Sequence, residues 1–407
     1  MRVLSIIGER PIPPITAIRV RNHHLWARLA EIDGIRLKVL CLDTAADRDL
    51  GPARIPGVDE VDCEFFRPER PPLPARALAV YARSWHEYPR SAALRRRVVE
   101  LEREWDPDVI HAEELRLAWY LPALQRRPSR AVQSVTFHNV ESDLFSRVAS
   151  PAVPLGRGLA RRLQIASLKR HEAEVASRVD LPWAYSKDDL LRYRTLYPDV
   201  SWGMITNGTN VHGITPAPQV ADRTVLILGS WNYLPNREGL AWFLEQIRPH
   251  LDEGVRITVA GSKADETIKR MIADAGLPFV DTPLDLEPLY AEAAVLAVPL
   301  LSGSGTRNKI LESMAHERVV ITTTKGAEGL EFGEAEGVVR ADDPRDFARR
   351  LMESINSPES RADAARRGRQ VVLDNYSYAV IARRMVEAWR ARLDHGVSQP
   401  RHAGAPA

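Results

Sequence analysis

The chain is nearly without cysteine: 407 residues hold two, Cys41 and Cys63. Two isolated thiols make neither a disulfide framework nor a zinc cluster, so a reducing cytoplasm is the expected compartment. Long apolar runs are also missing, and no stretch approaches the roughly 20 residues needed to span a bilayer. The apolar segment of the N-terminus, MRVLSIIGERPIPP, ends at Ile7. That is too short for a signal peptide and reads as a first buried strand. Net charge is nearly absent, with 56 basic and 54 acidic residues leaving +2. Such a balance gives no general pull toward nucleic acid. No GxGxxG follows the first strand, which removes the dinucleotide fingerprint, and no Ser-His-Asp or Cys-His signature stands out. His111-Ala112-Glu113-Glu114 has metal-binding residue types, as do His23, His24 and His171, but no second ligand pair sits at usable spacing. No metal is expected.

What remains is a chain long enough for two cores, in which strands and helices alternate. Val3–Ile7, Arg36–Leu42, Val109–His111, Ala131–Phe137 and Trp183–Tyr185 read as strands of a first domain. Between them, His24–Ile32, Pro89–Glu104 and Leu155–Val179 read as helices. The pattern restarts after residue 222 with strands at Val225–Leu228, Arg256–Ala260, Pro278–Val280, Val295–Pro299 and Val319–Thr322. Helices at Arg237–Pro249, Glu266–Ala275, Glu287–Ala293 and Asn308–Ala315 alternate with them. Alternation of this kind predicts two doubly wound, Rossmann-like α/β domains. The expected limits are residues 1–211 for the first domain, a linker at 212–222, and 223–376 for the second. A final helix at about 377–395 is expected to pack back on the first domain, and 396–407 reads as a disordered tail. Ligands of doubly wound sheets bind at the C-terminal strand ends, so two such domains predict a cleft site.

The second domain carries an ordered set of motifs. Gly229-Ser230-Trp231-Asn232-Tyr233-Leu234-Pro235-Asn236 comes first, then Val259-Ala260-Gly261-Ser262. Leu289–Pro299 follows, and then Gly303-Ser304-Gly305-Thr306-Arg307-Asn308-Lys309-Ile310-Leu311-Glu312-Ser313-Met314-Ala315. This order resembles the donor domain of GT-B glycosyltransferases of the group 1, family 4 type. Weaker matches lie in the first half: Gly8 with Pro11, Pro13 and Pro14, then Phe137-His138-Asn139-Val140-Glu141-Ser142, then Asn207-Gly208. Near the end, Tyr376-Ser377-Tyr378 followed by a helix is similar to the same family.

The resemblance implies a nucleoside-diphosphate sugar as donor substrate, with no separate cofactor. Backbone amides of Gly303, Ser304, Gly305 and Thr306, ahead of a helix, would form an anion site. Arg307 and Lys309 would neutralise the departing diphosphate, and Glu312 would accept hydrogen bonds from the ribose hydroxyls. Gly229 and Gly261 would admit the donor to close backbone approach, Arg237 and Lys263 would reach phosphate, and Leu284 lies in the loop expected at the nucleobase. His138 is the candidate at the transferred sugar, with Glu141 orienting it or meeting the acceptor. The sequence departs from the family at Ser304, where the first of two glutamates separated by seven residues is usual.

The implied reaction is transfer of a sugar to a hydroxyl acceptor with retention of configuration. Two rivals are a nucleotide-sugar epimerase of the same fold and a non-catalytic partner subunit. The acceptor is left open between a glycan, a lipid-linked sugar and a natural-product aglycone, shaped by Pro11–Asn22 and Phe65–Tyr88. The helix Leu155–Val179 carries Arg157, Arg161, Arg162, Lys169 and Arg170. It leaves open a peripheral contact at the inner face of a membrane, beside the plainer reading of a solvated face.

Overall fold

The computed structural model describes residues 1–12, 17–42, 62–67, 69, 90–147, 155–218, 223–303 and 307–398. The chain forms two compact units, Met1–Thr206 with Ile381–Ala407, and Asn207–Val380.

In the N-terminal unit the described elements are β1 (Arg2–Ile7), α1 (Ala17–Ala30), β2 (Arg36–Leu42), β3 (Asp62–Phe66), α2 (Ala92–Glu104) and β4 (Val109–Ala112). They continue with β5 (Val132–Phe137), α3 (Glu141–Arg147), α4 (Leu155–Arg178), β6 (Leu181–Ala184), α5 (Lys187–Leu196) and β7 (Gly203–Met204). All seven strands are parallel, in the order β3-β2-β1-β4-β5-β6-β7. Strands such as Val132–Phe137 are buried along their whole length. Continuous apolar runs of this sort belong to a parallel sheet covered on both faces. Helix α2 begins at Ala92 because the Ser91 hydroxyl accepts from the Leu94 amide at 3.3 Å, and its Leu94, Val98 and Leu101 stripe turns inward. Strand order reverses between β1 and β4, which makes their C-terminal ends the switch point of the sheet.

The C-terminal unit contains β8 (Thr224–Ser230), α6 (Leu234–Trp242), β9 (Arg256–Ser262), α7 (Glu266–Asp274), β10 (Phe279–Asp281) and α8 (Glu287–Glu292). Then come β11 (Val295–Val298), α9 (Asn308–Ala315), β12 (Val319–Thr322), β13 (Val338–Arg340), α10 (Pro344–Asn356) and α11 (Pro358–Asn375). Its six parallel strands run β10-β9-β8-β11-β12-β13, with the switch point between β8 and β11. The last helix, α12, spans Tyr378–Ser398. From Ile381 it belongs to the N-terminal unit, where Ile381, Ala382, Met385, Val386 and Trp389 form one buried stripe.

The structure differs from the sequence reading at three places. The C-terminal unit starts at Asn207, ahead of the expected linker. Val211 is wholly buried in its core, and Thr209 bridges to Ser377. Arginine side chains hold the next carbonyls: Arg369 donates to Val211 and Ile214, and Arg318 to Ala217 and Pro218. A segment without helical or strand period is thus fixed by hydrogen bonds to its backbone. Second, α12 continues through Ser398, into the expected tail, whose residues 399–407 lie outside the described residues. Third, the single helix expected at Arg237–Pro249 is α6 followed by a wide π-type turn at Phe243–Ile247 and a tight turn at Arg248–His250. Pro249 has no N–H with which to extend the helical ladder.

Candidate functional site

In the N-terminal unit, the ends of β4 and β5 bring Glu113 and His138 together. β5 stops at Phe137, and His138 follows it with a side chain 16% exposed. Its Nε2 lies 3.3 Å from Glu113 Oε1, and its ring stacks on Tyr185 at 4.7 Å. Glu113 is completely buried and receives Arg21 Nε on Oε1 at 2.5 Å and His111 Nε2 on Oε2 at 3.0 Å. Arg21 also donates to the Thr206 carbonyl at 3.2 Å and lies over Tyr185. Burial alone would raise the Glu113 pKa, but Arg21 and the two imidazoles outweigh it and hold the carboxyl well below its ordinary range. Burial lowers the His111 pKa against the opposing pull of Glu113, so that ring is neutral. Its Nδ1 faces Ser134 Oγ at 2.8 Å, and Ser134 Oγ accepts from Trp389 Nε1 at 3.0 Å.

Sequence reasoning met Arg21 only within the Pro11–Asn22 loop, and His111 and Glu113 only within a metal motif that it set aside. The signal for them was a carboxylate directly after an apolar strand at the sheet's switch point. Glu141 begins α3 beside Asn139 and Glu172, and burial raises its pKa to about 7. On α4, Arg162, Lys169 and Arg170 are exposed, whereas the side chains of Arg157 and Arg161 lie outside the described residues.

In the C-terminal unit, the ends of β8, β9 and β11 carry the motifs read from the sequence. Gly229 and Gly261 face each other in the β8–β9 register. A methyl group on Gly261, whose φ is +142°, would lie 1.8 Å from the Gly229 carbonyl oxygen, so only glycine fits. Gly303, at φ +98°, packs under Tyr233 and Pro235 of the first motif. Ser304, Gly305 and Thr306 lie outside the described residues.

Arg307 is 5% exposed and donates through Nη2 to the Lys325 carbonyl at 2.8 Å and the Gly303 carbonyl at 3.4 Å. Glu328 is 3.6 Å from the same nitrogen. Among the described residues its buried Nε has no acceptor. Lys309 turns its ammonium to the Leu228 carbonyl at 2.7 Å and to Asn236 Oδ1 at 2.9 Å. Burial, then the nearby Arg307 charge, pull its pKa down to about 7. One helical turn on, Glu312 accepts from the Tyr290 hydroxyl at 3.4 Å, and burial raises its pKa to about 7. Tyr290 is itself clamped, with His316 stacked on its ring at 4.3 Å and Arg318 Nε on its carbonyl at 2.7 Å.

The remaining candidates are more open. Arg237 is paired with Asp265 at 2.5 Å, which also caps α7. Lys263, two residues before that cap, is exposed at φ +60°, and Leu284 is fully exposed. The structure therefore groups Gly229, Gly261, Gly303, Arg307, Lys309 and Glu312 around the switch point of one sheet. Arg237, on α6, reaches Asp265 of the β9–α7 loop that carries Lys263, and Leu284 lies beyond β10. Among the described residues no group of three or more His, Cys, Asp or Glu side chains is placed to hold a metal ion, and no helix is long and apolar enough to cross a membrane.

Comparison with known proteins agrees with the fold. Residues 222–357 match the family model described as Glycosyl transferases group 1. An uncharacterized 44.6 kDa protein in the cps region of Klebsiella pneumoniae is 24% identical over 163 residues, which are 37% of this chain and 42% of that protein. Among solved structures, sucrose-phosphate synthase from Thermosynechococcus elongatus superposes with a TM-score of 0.72 at 15% identity, covering 97% of this chain and 100% of the other. HepE of Anabaena in complex with UDP gives 0.66 at 14% identity, covering 96% and 100%. A point mutant of S. aureus TarM, in complex with Fondaparinux, alpha-GlcNAc-glycerol and UDP, gives 0.63 at 11%, covering 97% and 99%. Residues 222–357 thus match the Glycosyl transferases group 1 model, in a chain with the GT-B fold.

Proposed function

We propose that the protein transfers a sugar from a nucleoside-diphosphate sugar to a hydroxyl acceptor, with retention of configuration. The observation that carries this reading is the Arg307–Lys309–Glu312 group on α9 and its approach. It places two cations and one carboxylate within two turns of helix, at the switch point of the matched domain. Two cations complement a diphosphate, and an ionised carboxylate complements two vicinal ribose hydroxyls. The buried Arg307 Nε is a donor that a phosphate oxygen would satisfy. UDP in the HepE and TarM structures supports a uridine nucleotide as the first candidate.

As the glycosidic bond breaks, negative charge develops on the leaving diphosphate. Arg307 and Lys309 stabilise it there, and α9 adds the positive end of its dipole. The leaving oxygen then takes the acceptor's proton, so no separate carboxylate base is required. His138 contacts the transferred sugar on the acceptor side of this scheme. Incubation with UDP-glucose and a panel of glycan acceptors, followed by NMR of the product's anomeric proton, tests the reaction. The account predicts a product with the donor's own anomeric configuration. An inverted product would overturn the mechanism, and interconversion of the free UDP-sugar without an acceptor would replace transfer by epimerisation.

A further inference from the structure

The hydrogen bonds around Glu113 have only one consistent direction. Trp389 Nε1 can only donate, so Ser134 Oγ accepts from it at 3.0 Å. An ionised Glu113 only accepts, so His111, neutral because it is buried, leaves Nδ1 to accept from Ser134 Oγ at 2.8 Å and donates from Nε2 to Glu113 Oε2 at 3.0 Å. Thr136 Oγ1, 3.4 Å from the same nitrogen, is a weaker second neighbour. Glu113 Oε1 takes Arg21 Nε and, at 3.3 Å, His138 Nε2. An ionised carboxylate only accepts, so the proton of His138 lies on Nε2.

We propose that Glu113 is a positioning residue for His138, fixing it as the Nε2–H tautomer so that Nδ1 is the ring atom able to accept a hydrogen bond from a sugar hydroxyl. The groups that face Glu113 are Arg21 from α1, His111 from β4 and His138 after β5. Together they keep the carboxylate charged, and the chain through Ser134 ties its orientation to the C-terminal helix. The sugar contact rests on the function proposed above, whereas the tautomer is a property of the free protein.

The test is a long-range proton–nitrogen NMR spectrum of the full chain with 15N-labelled histidine at pH 8. His138 is assigned by its loss in His138→Gln. The wild type should show His138 protonated on Nε2. The double variant Arg21→Met/Glu113→Leu, which removes the acceptor without leaving a lone charge, should lose that preference, whereas Glu113→Gln, whose carbonyl oxygen must stay on Arg21 and His138, should keep it. A wild-type His138 protonated on Nδ1, or an unchanged tautomer in the double variant, would overturn the assignment. Should the double variant not fold, the wild-type spectrum decides alone. Failure of UDP to bind would count against the proposed function and leave the tautomer result intact.

Discussion

Lys309 donates to the carbonyl oxygen of Leu228 at 2.7 Å, so the cation of α9 is anchored to the strand that carries the Gly229 turn. Asn236, the last residue of that turn's motif, accepts from the same ammonium at 2.9 Å. Two sequence motifs far apart in the chain therefore meet at one nitrogen.

The nucleotide binding proposed above is then a proton-linked event. Lys309 and Glu312 both have pKa values moved to about 7, from opposite sides, and burial is the chief cause in each. A bound diphosphate favours the charged ammonium, and ribose hydroxyls favour the charged carboxylate. UDP binding should therefore take up a proton above pH 7, where Lys309 is mostly neutral, and release one below pH 7, where Glu312 is mostly protonated. Calorimetry in buffers of different ionisation enthalpy measures the sign. Lys309→Met should remove the uptake and Glu312→Gln the release.

The same lysine sets a slope in the stability of the free protein. In the unfolded chain its pKa is about 10.4; in the fold it is about 7. Between these values the unfolded state binds more protons, so stability rises with pH across this window and the penalty is complete below pH 7. Lys309→Met should flatten the dependence, as read by urea unfolding at pH 7 and pH 9.

Tyr290 helps keep Glu312 ionised by donating to it at 3.4 Å. Tyr290→Phe removes that donor, raises the Glu312 pKa further and should weaken UDP binding at pH 7, with recovery at pH 8.5. Glu312→Ala should weaken it at both pH values by about 10- to 100-fold, the loss of a hydrogen bond to a charged group. A titration of UDP affinity against pH separates the two variants.

The Arg21–Glu113 pair is fully buried on both sides. Removing either partner leaves an uncompensated charge, so Arg21→Ala and Glu113→Ala should each cost about 3–5 kcal/mol. The double variant Arg21→Met/Glu113→Leu should cost much less than the sum, because no lone charge is left behind. Denaturant unfolding of all three proteins measures the coupling.

Much of this was legible in the sequence, because parallel strands are continuous apolar runs and because the Gly303–Ala315 motif puts Lys309 and Glu312 on one short helix with Arg307 at its N-cap. The N-terminal network was not. Arg21, Glu113 and His138 are far apart in the chain, and nothing local says that the end of α1 meets the ends of β4 and β5. Residues 212–222 read as a linker because the anchorage of their described part comes from the guanidinium groups of Arg318 and Arg369, which leave no hydrophobic period. β3 and β13, of five and three residues, are too short for periodicity to identify.

The central claim is that the C-terminal unit binds a nucleoside diphosphate through the Arg307–Lys309–Glu312 group. Thermal unfolding of the full chain against UDP, TDP, GDP and ADP tests it most directly. One nucleotide should stabilise the protein by roughly 2.7 kcal/mol when present at about 100 times its dissociation constant, and Glu312→Ala should cut the shift at that concentration to roughly 0.4–1.4 kcal/mol. No stabilisation by any of the four, or an equal shift in Glu312→Ala, would contradict the account.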